Sequence, residues 1–249
     1  MALAGGSTSP LGYHHATKHA FGRFSRSLGY LDWANQPNPF RRFSGAELLS
    51  LPRVARPSVA GLADLYAGRV LPSVVTVETI GEFLRCSLGL SAWKVYGASR
   101  WSLRVNPSSG NLHPTEAYLC WNSRVFHYAP AEHALEERAF LGESEGVLAG
   151  ELDDGQFLVA LTSISWREAW KYGERAFRYC QHDIGHALGA LGMAAAMLGW
   201  TMRVLPQWSD ADTSGLLGID RDDDFIRAER EVPGAIALVS SRPPTESAD

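Results

Sequence analysis

From Thr76 onward the chain places apolar side chains at helical spacing. Ile80, Phe83, Leu84, Ser87 and Leu88 fall on one face of a 3.6-residue period. Thr76 is placed to cap that helix, and Glu78 suits the positive end of its dipole. The pattern then changes: Glu116 to Trp121 and Val125 to Tyr128 are short β-rich runs joined by Asn122-Ser123-Arg124, which predicts a hairpin. Phe157 to Ile164 reads as a third, largely buried strand. A short helix is expected from Trp166 to Tyr172, stopped by Gly173, and a long one from about Glu174 to Leu198. Trp200 to Leu205 and Ala235 to Ser240 are the last strand candidates, separated by the acidic stretch Asp220 to Asp224. Strands and helices do not alternate strictly and the first strands are hairpin-linked, so the expected class is α+β with a mainly antiparallel sheet. Residues 1 to about 45 are polar, aromatic and turn-rich, and Arg53 to Pro72 is interrupted by Pro and Arg. The expected division is an arm and irregular linker over 1–72 and one domain over 73–249.

Composition narrows the class without changing that picture. Apolar residues make up 45% of the 249 and charged residues 20%, an ordinary globular balance. A net charge of −4 argues against a general binder of nucleic acid or of acidic membrane. The longest apolar run, Ala187 to Trp200, is too short to span a bilayer and reads as a buried helix. Cys86, Cys120 and Cys180 share no metal-type spacing, and each sits in an apolar context. Buried thiols in a reducing compartment are the expectation, and with no basic-then-apolar leader pattern the expected location is cytoplasmic.

Candidate chemistry concentrates in three places. The run from Arg104 to Trp121, RVNPSSGNLHPTEAYLCW, puts Pro107, Ser108, Ser109, Gly110 and Asn111 just ahead of a strand. These residues also make plain turns, but short hydroxyl and amide groups around a Gly suit a flat, polar-edged ligand, and Arg104 could hold a phosphate or carboxylate in bidentate fashion. In WREAWKYGERAFRY, Lys171 and Tyr172 are adjacent and would diverge by about 100° on a regular helix. A helix ending at Gly173 would let both face one cavity, as a proton-transfer pair if burial favours the neutral amine. The plain alternative is a solvated Lys beside a Tyr with its tip in water. Third, His182 and His186 stand at i and i+4, but the Glu that follows the first His in zinc-binding helices is missing, as is a third ligand. Hydrogen-bonded packing residues are expected there, and no metal. The small residues Gly185, Gly189, Gly192, Ala187 and Ala190 make a smooth helix that another helix or a flat ring system could approach.

Taken in order, these segments resemble the FMN-dependent nitroreductase superfamily, and within it the SagB-type thiazoline/oxazoline dehydrogenase branch. Pro107-Ser108-Ser109-Gly110-Asn111-Leu112-His113-Pro114 is similar to that family's Pro-Ser-Ser-x-Asn-x-Gln-Pro loop; Arg104, the Tyr118 to Tyr128 hairpin, Lys171-Tyr172 and Gly185-His186 follow the order of the branch. The likeness covers about residues 76 to 240. It implies FMN held by Arg104, Pro107, Ser108, Ser109 and Asn111, with Lys171 and Tyr172 in proton abstraction. The substrate would be a small molecule or a modified peptide, in a homodimer or beside a second module of the same kind. It departs from the family in one motif: the Arg-Arg-Ser-x-Arg phosphate binder is absent, and Gly68-Arg69-Val70-Leu71-Pro72-Ser73 stands in its neighbourhood. The chain is also similar to one half of longer two-module proteins. The expected activity is two-electron hydride transfer, in one version dehydrogenation of a heterocycle in a modified peptide. The alternatives are NAD(P)H-dependent reduction of nitro or quinone compounds, a non-catalytic scaffold of the same fold, and a hydrolase using a metal on His182 and His186.

Overall fold

A computed structural model describes residues 9–53, 61–141 and 152–242. In chain order the elements are α1 (Pro10–Thr17), β1 (Leu48–Ser50), α2 (Leu62–Tyr66), α3 (Val77–Ser87), β2 (Leu90–Tyr96), β3 (Ser99–Arg104), β4 (Thr115–Trp121) and β5 (Arg124–Ala129). They continue as β6 (Ala134–Phe140), β7 (Gln156–Ser163), α4 (Ser165–Tyr172), α5 (Ala176–Met197), β8 (Thr201–Val204), α6 (Asp210–Leu217) and β9 (Val232–Ser240). Seven strands form one sheet in the order β1-β6-β5-β4-β7-β9-β8, with every neighbouring pair antiparallel. This is the expected α+β class, with helices flanking the sheet.

Alternation along the central strands explains why the sheet is an inner layer. Ala117 and Leu119 of β4 face α3 and α5, joining Ile80, Phe83, Leu84, Ala187 and Leu191 in the larger core. Their neighbours Tyr118 and Cys120 face the other way, toward Leu217, Ile219 and Phe225. Both faces are therefore covered, and β4 and β7 are buried almost throughout. Phe83 meets Phe157 edge to face, with ring centroids 5.6 Å apart, a geometry worth about 0.5–1.5 kcal/mol beyond the area it buries.

The local signals explain most of these elements. Thr76 caps α3, its hydroxyl accepting from the Thr79 amide while the Thr79 hydroxyl accepts from the Thr76 amide. The β4–β5 turn uses Asn122 and Ser123 at φ of 50° and 56°, the left-handed conformations of a tight hairpin. Four strands lie where none was expected. β6 has helix-forming glutamates, yet it pairs with β5 because its Leu135 is needed in the core. β1, inside the segment expected to be an irregular arm, closes the sheet edge against β6. The β2–β3 hairpin stands as a separate two-stranded ribbon with Trp93, Val95, Tyr96 and Trp101 exposed.

Candidate active site

The loop between β3 and β4 is shaped by its own polar groups. Gly110, Asn111 and His113 all have positive φ, at 63°, 60° and 49°. Asn111 donates from Nδ2 to the Ser102 carbonyl at 3.0 Å, leaving its Oδ1 to accept from His113 Nε2 at 3.0 Å. That assignment makes His113 the Nε2–H tautomer. Burial, with the nearby Arg104 and Arg167 guanidiniums, pushes His113 down to about 3, so it is neutral. The Ser108 hydroxyl accepts from the His113 amide at 2.8 Å. Ser109 donates both its amide, at 3.0 Å, and its hydroxyl, at 3.1 Å, to the Asp183 carboxylate. Asp183 lies on α5 and is fully buried, so this loop is tied to the long helix by a charge-assisted anchor.

Of the residues singled out in sequence, Ser108, Ser109 and Asn111 thus shape the loop with their side chains, and Pro107 is exposed beside them. Arg104 is buried; it donates to the carbonyls of Thr115 and Pro39, and its guanidinium lies 5.6 Å from the centre of the Phe40 ring. It braces the arm against the sheet.

Lys171 and Tyr172 are the last residues of α4, and Gly173 turns the chain with φ of 53°. The structure brings this pair and the loop together at Gly110. A Cβ on Gly110 would stand 2.7 Å from Tyr172 Oη and 3.0 Å from Lys171 Nζ, so only Gly leaves room for both polar tips against the backbone. The Tyr172 ring packs on Tyr179, centroids 4.3 Å apart. Burial raises the Tyr172 phenol, and Glu168, Tyr179 and Asp183 reinforce this against the opposing Arg175. Among the described residues neither Lys171 Nζ nor Tyr172 Oη makes a hydrogen bond.

Two acids here were missed in sequence. Glu168 lies one turn before the pair, fully buried, and among the described residues neither carboxyl oxygen has a hydrogen-bond partner. Burial first, then the Asp183 charge, pushes it up to about 9, with Lys171 pulling weakly the other way. Asp183 is also raised, by burial, but Ser108, Ser109 and His186 offset much of that. An acid three residues before a Lys ordinarily reads as a solvated ion pair, and Asp183 was hidden between two histidines. Those histidines are exposed: His186 Nδ1 is 3.9 Å from Asp183 Oδ1, and the His182 ring faces Tyr179 at 6.2 Å. Among the described residues no group of three His, Cys, Asp or Glu could hold a metal ion. None of the three cysteines forms a disulfide, and among the described residues no helix is long and apolar enough to cross a membrane.

The segment that carries most of this sheet and both candidate site segments matches a known family. Residues 70–228 match the nitroreductase family, and the protein belongs to it. Among solved structures the fold is similar to a protein assigned as a nitroreductase from Anabaena variabilis, with a TM-score of 0.67 and 23% identity over 91% of this chain and 45% of that one. It is also similar to a Ralstonia eutropha protein of the same assignment, with a TM-score of 0.59 and 13% identity over 80% of this chain and 90% of that one. A third likeness is to the E. coli microcin synthetase McbBCD complex with truncated pro-MccB17 bound, with a TM-score of 0.53 and 17% identity over 98% of this chain and 85% of that one. At these identities the likeness concerns the fold. The chain spans less than half the length of the Anabaena protein. No curated protein matches it by sequence.

The donor set fits the ring end of a flavin. Lys171 Nζ and Tyr172 Oη, neither hydrogen-bonded among the described residues, are polar tips of the kind that meet a flavin's polar ring edge, and they sit directly against the exposed Gly110 backbone. Two of the Arg104 donors serve backbone carbonyls, and its Nε is buried without a hydrogen-bond partner among the described residues.

Proposed function

We propose that this nitroreductase-family protein is an FMN-dependent oxidoreductase whose ring site lies at Gly110, Lys171 and Tyr172, and whose substrate is dehydrogenated there. The observation that carries this is the convergence of the Lys-Tyr pair on the one loop residue without a side chain. Bound there, the flavin would supply a two-electron hydride acceptor. The chain's own residues do the rest. The backbone at Gly110 offers a flat support, and Ser108, Ser109 and Asn111 hold that support rigid. Asp183 fixes its height against α5, and Lys171 or Tyr172 takes the proton that leaves substrate nitrogen or carbon as the hydride departs. A heterocycle in a modified peptide suits an open site, since a peptide can enter along the surface.

The reading includes a cytoplasmic setting, supported by the three free thiols, and a second copy or second nitroreductase-like module covering the exposed side of the loop. A phosphate clamp from that partner would answer the commitment of Arg104 elsewhere. The exposure of the loop equally favours flat nitro or quinone substrates, reduced at the expense of NAD(P)H.

The test is an absorbance spectrum of the purified protein with FMN, followed by turnover. Wild type takes up FMN and turns yellow. At saturating FMN, Lys171→Ala and Tyr172→Phe lose about 100-fold or more in turnover, the usual share of a positioned proton-transfer group. Protein that stays colourless with added FMN favours the non-catalytic scaffold, and full turnover in both variants refutes the assigned roles.

A further inference from the structure

Glu168 is a buried carboxyl that the reading above leaves without a task. It is 0% exposed, and both of its oxygens lack a hydrogen-bond partner among the described residues. A buried polar group without a partner is costly to a folded chain, so its place needs a reason. Helical spacing sets it on the side of α4 that carries Lys171 and Tyr172, at i+3 and i+4. From α5 it faces the Asp183 carboxylate and the buried Cys180 thiol, which burial and these two acids push up to about 12. His186 Nδ1 stands 3.9 Å from the Asp183 Oδ1 that also accepts from Ser109. Lys171 forms no ion pair with Glu168 among the described residues, although i,i+3 is ordinary spacing for one.

The two acids are in opposite situations. Asp183 receives an amide and a hydroxyl from Ser109, which suit a charged carboxylate. Glu168 receives no hydrogen bond from the described residues, and a neighbouring negative charge disfavours a second one. Two carboxyls with environments pushed apart in this way divide the labour, one keeping the charge and the other exchanging the proton.

We propose that Glu168 is the proton-exchange partner of Lys171 and Tyr172, storing behind the loop the proton that the pair takes from or gives to a substrate. In dehydrogenation the active form has Glu168 ionised: an N–H bond of the protonated Lys171 breaks and an O–H bond forms on the Glu168 carboxylate. Glu168 must then release that proton to solvent before the next turnover, so the rate rises toward the pH at which it ionises. In reduction the same bonds change in reverse. The hydride goes to or comes from the flavin, so the catalytic part of the inference rests on the reading above. Glu168 acts through Lys171 and touches no substrate; it is a positioning residue.

Infrared titration of the full chain labelled with 13C-glutamate reads the carboxyl directly, with or without FMN. The expected result is a protonated carboxyl that titrates near pH 9, is absent in Glu168→Gln, and titrates higher in Lys171→Met because a cation has gone. With FMN supplied, wild-type dehydrogenation rises with pH toward that value. Glu168→Gln loses this limb and at least about tenfold in turnover with FMN uptake unchanged, and Glu168→Asp recovers part of it. Should Glu168→Gln fail to fold, Glu168→Asp and Lys171→Met carry both readouts. A carboxyl that ignores Lys171, or a Glu168→Gln enzyme whose pH profile and rate stay within about twofold of wild type, overturns the proposal. If the coupling appears but FMN never binds, the flavin reading fails and the Glu168–Lys171 exchange stands.

Discussion

The molecule buries acidic side chains in two places and treats them in opposite ways. Near the β4–β5–β6 strands, Glu116 accepts from Arg167 at 2.6 Å and pairs with His127 at 2.9 Å; His127 pairs in turn with Glu136 at 2.7 Å, and Glu136 with Arg42. Glu231 beside them takes hydrogen bonds from Tyr118 and Thr162 and an ion pair with Arg41. All three of these carboxylates have several donors, and the arm supplies two of the cations. One residue along α4 from Arg167, Glu168 has no donor among the described residues. The first cluster ties the arm to the sheet. The second stores free energy beside the candidate site, which a chain retains where function needs an acid that is ready to change state.

The largest expected effect is on the satisfied side. Arg167→Met leaves Glu116 charged and fully buried without its main cation, and should destabilise by about 3–5 kcal/mol in urea titrations. Burial alone would raise Glu116, but Arg167, His127 and Arg104 outweigh it and hold the carboxyl down at about 2. That stability is complete above the ordinary carboxylate value of 4.5 and is lost as pH falls toward about 2. A variant within experimental error of wild type would mean that the network carries no net stability.

Glu168 should respond with the opposite sign. Its folded value lies above its unfolded one, so its contribution is complete below about 4.5 and is lost as pH rises toward about 9. Glu168→Leu should therefore stabilise the protein by about 1–3 kcal/mol at neutral pH, and by less in acid. Thermal melts at several pH values decide it: a variant less stable than wild type at pH 8 would show that the carboxyl has a partner after all. The smallest effect belongs to Gly110→Ala. Left-handed backbone costs a non-Gly residue about 1–2 kcal/mol, while the new methyl pushes the Lys171 and Tyr172 tips away from the loop. A cooperative melt with turnover lost is expected; turnover retained would place the chemistry elsewhere.

How much of this was readable in the chain differs by element. α3 was legible to its cap, because Thr76, Glu78 and four apolar residues at helical spacing all report locally. The β4–β5 hairpin was legible for the same reason. β6 was not, because Glu136 and Glu137 favour helix by propensity and are held in a strand by partners distant in sequence, Arg42 and Arg124. At the candidate site, Lys171, Tyr172 and the Pro107–Asn111 loop stood out by residue type. That the loop's hydroxyls and amide serve to hold its own shape, and that Arg104 serves the arm, could not be read from residue type.

Local spacing and side-chain chemistry were enough to establish an antiparallel α+β domain, its principal helices and which short segments carry reactive groups. These depend on neighbours within a few residues, and the chain states them directly. Which carboxyls are satisfied depends on contacts across long separations, such as Ser109 with Asp183. So does the meeting of Gly110 with Lys171 and Tyr172. Burial and long-range partners govern whether an acid is charged, and neither exists until α4 and α5 have packed.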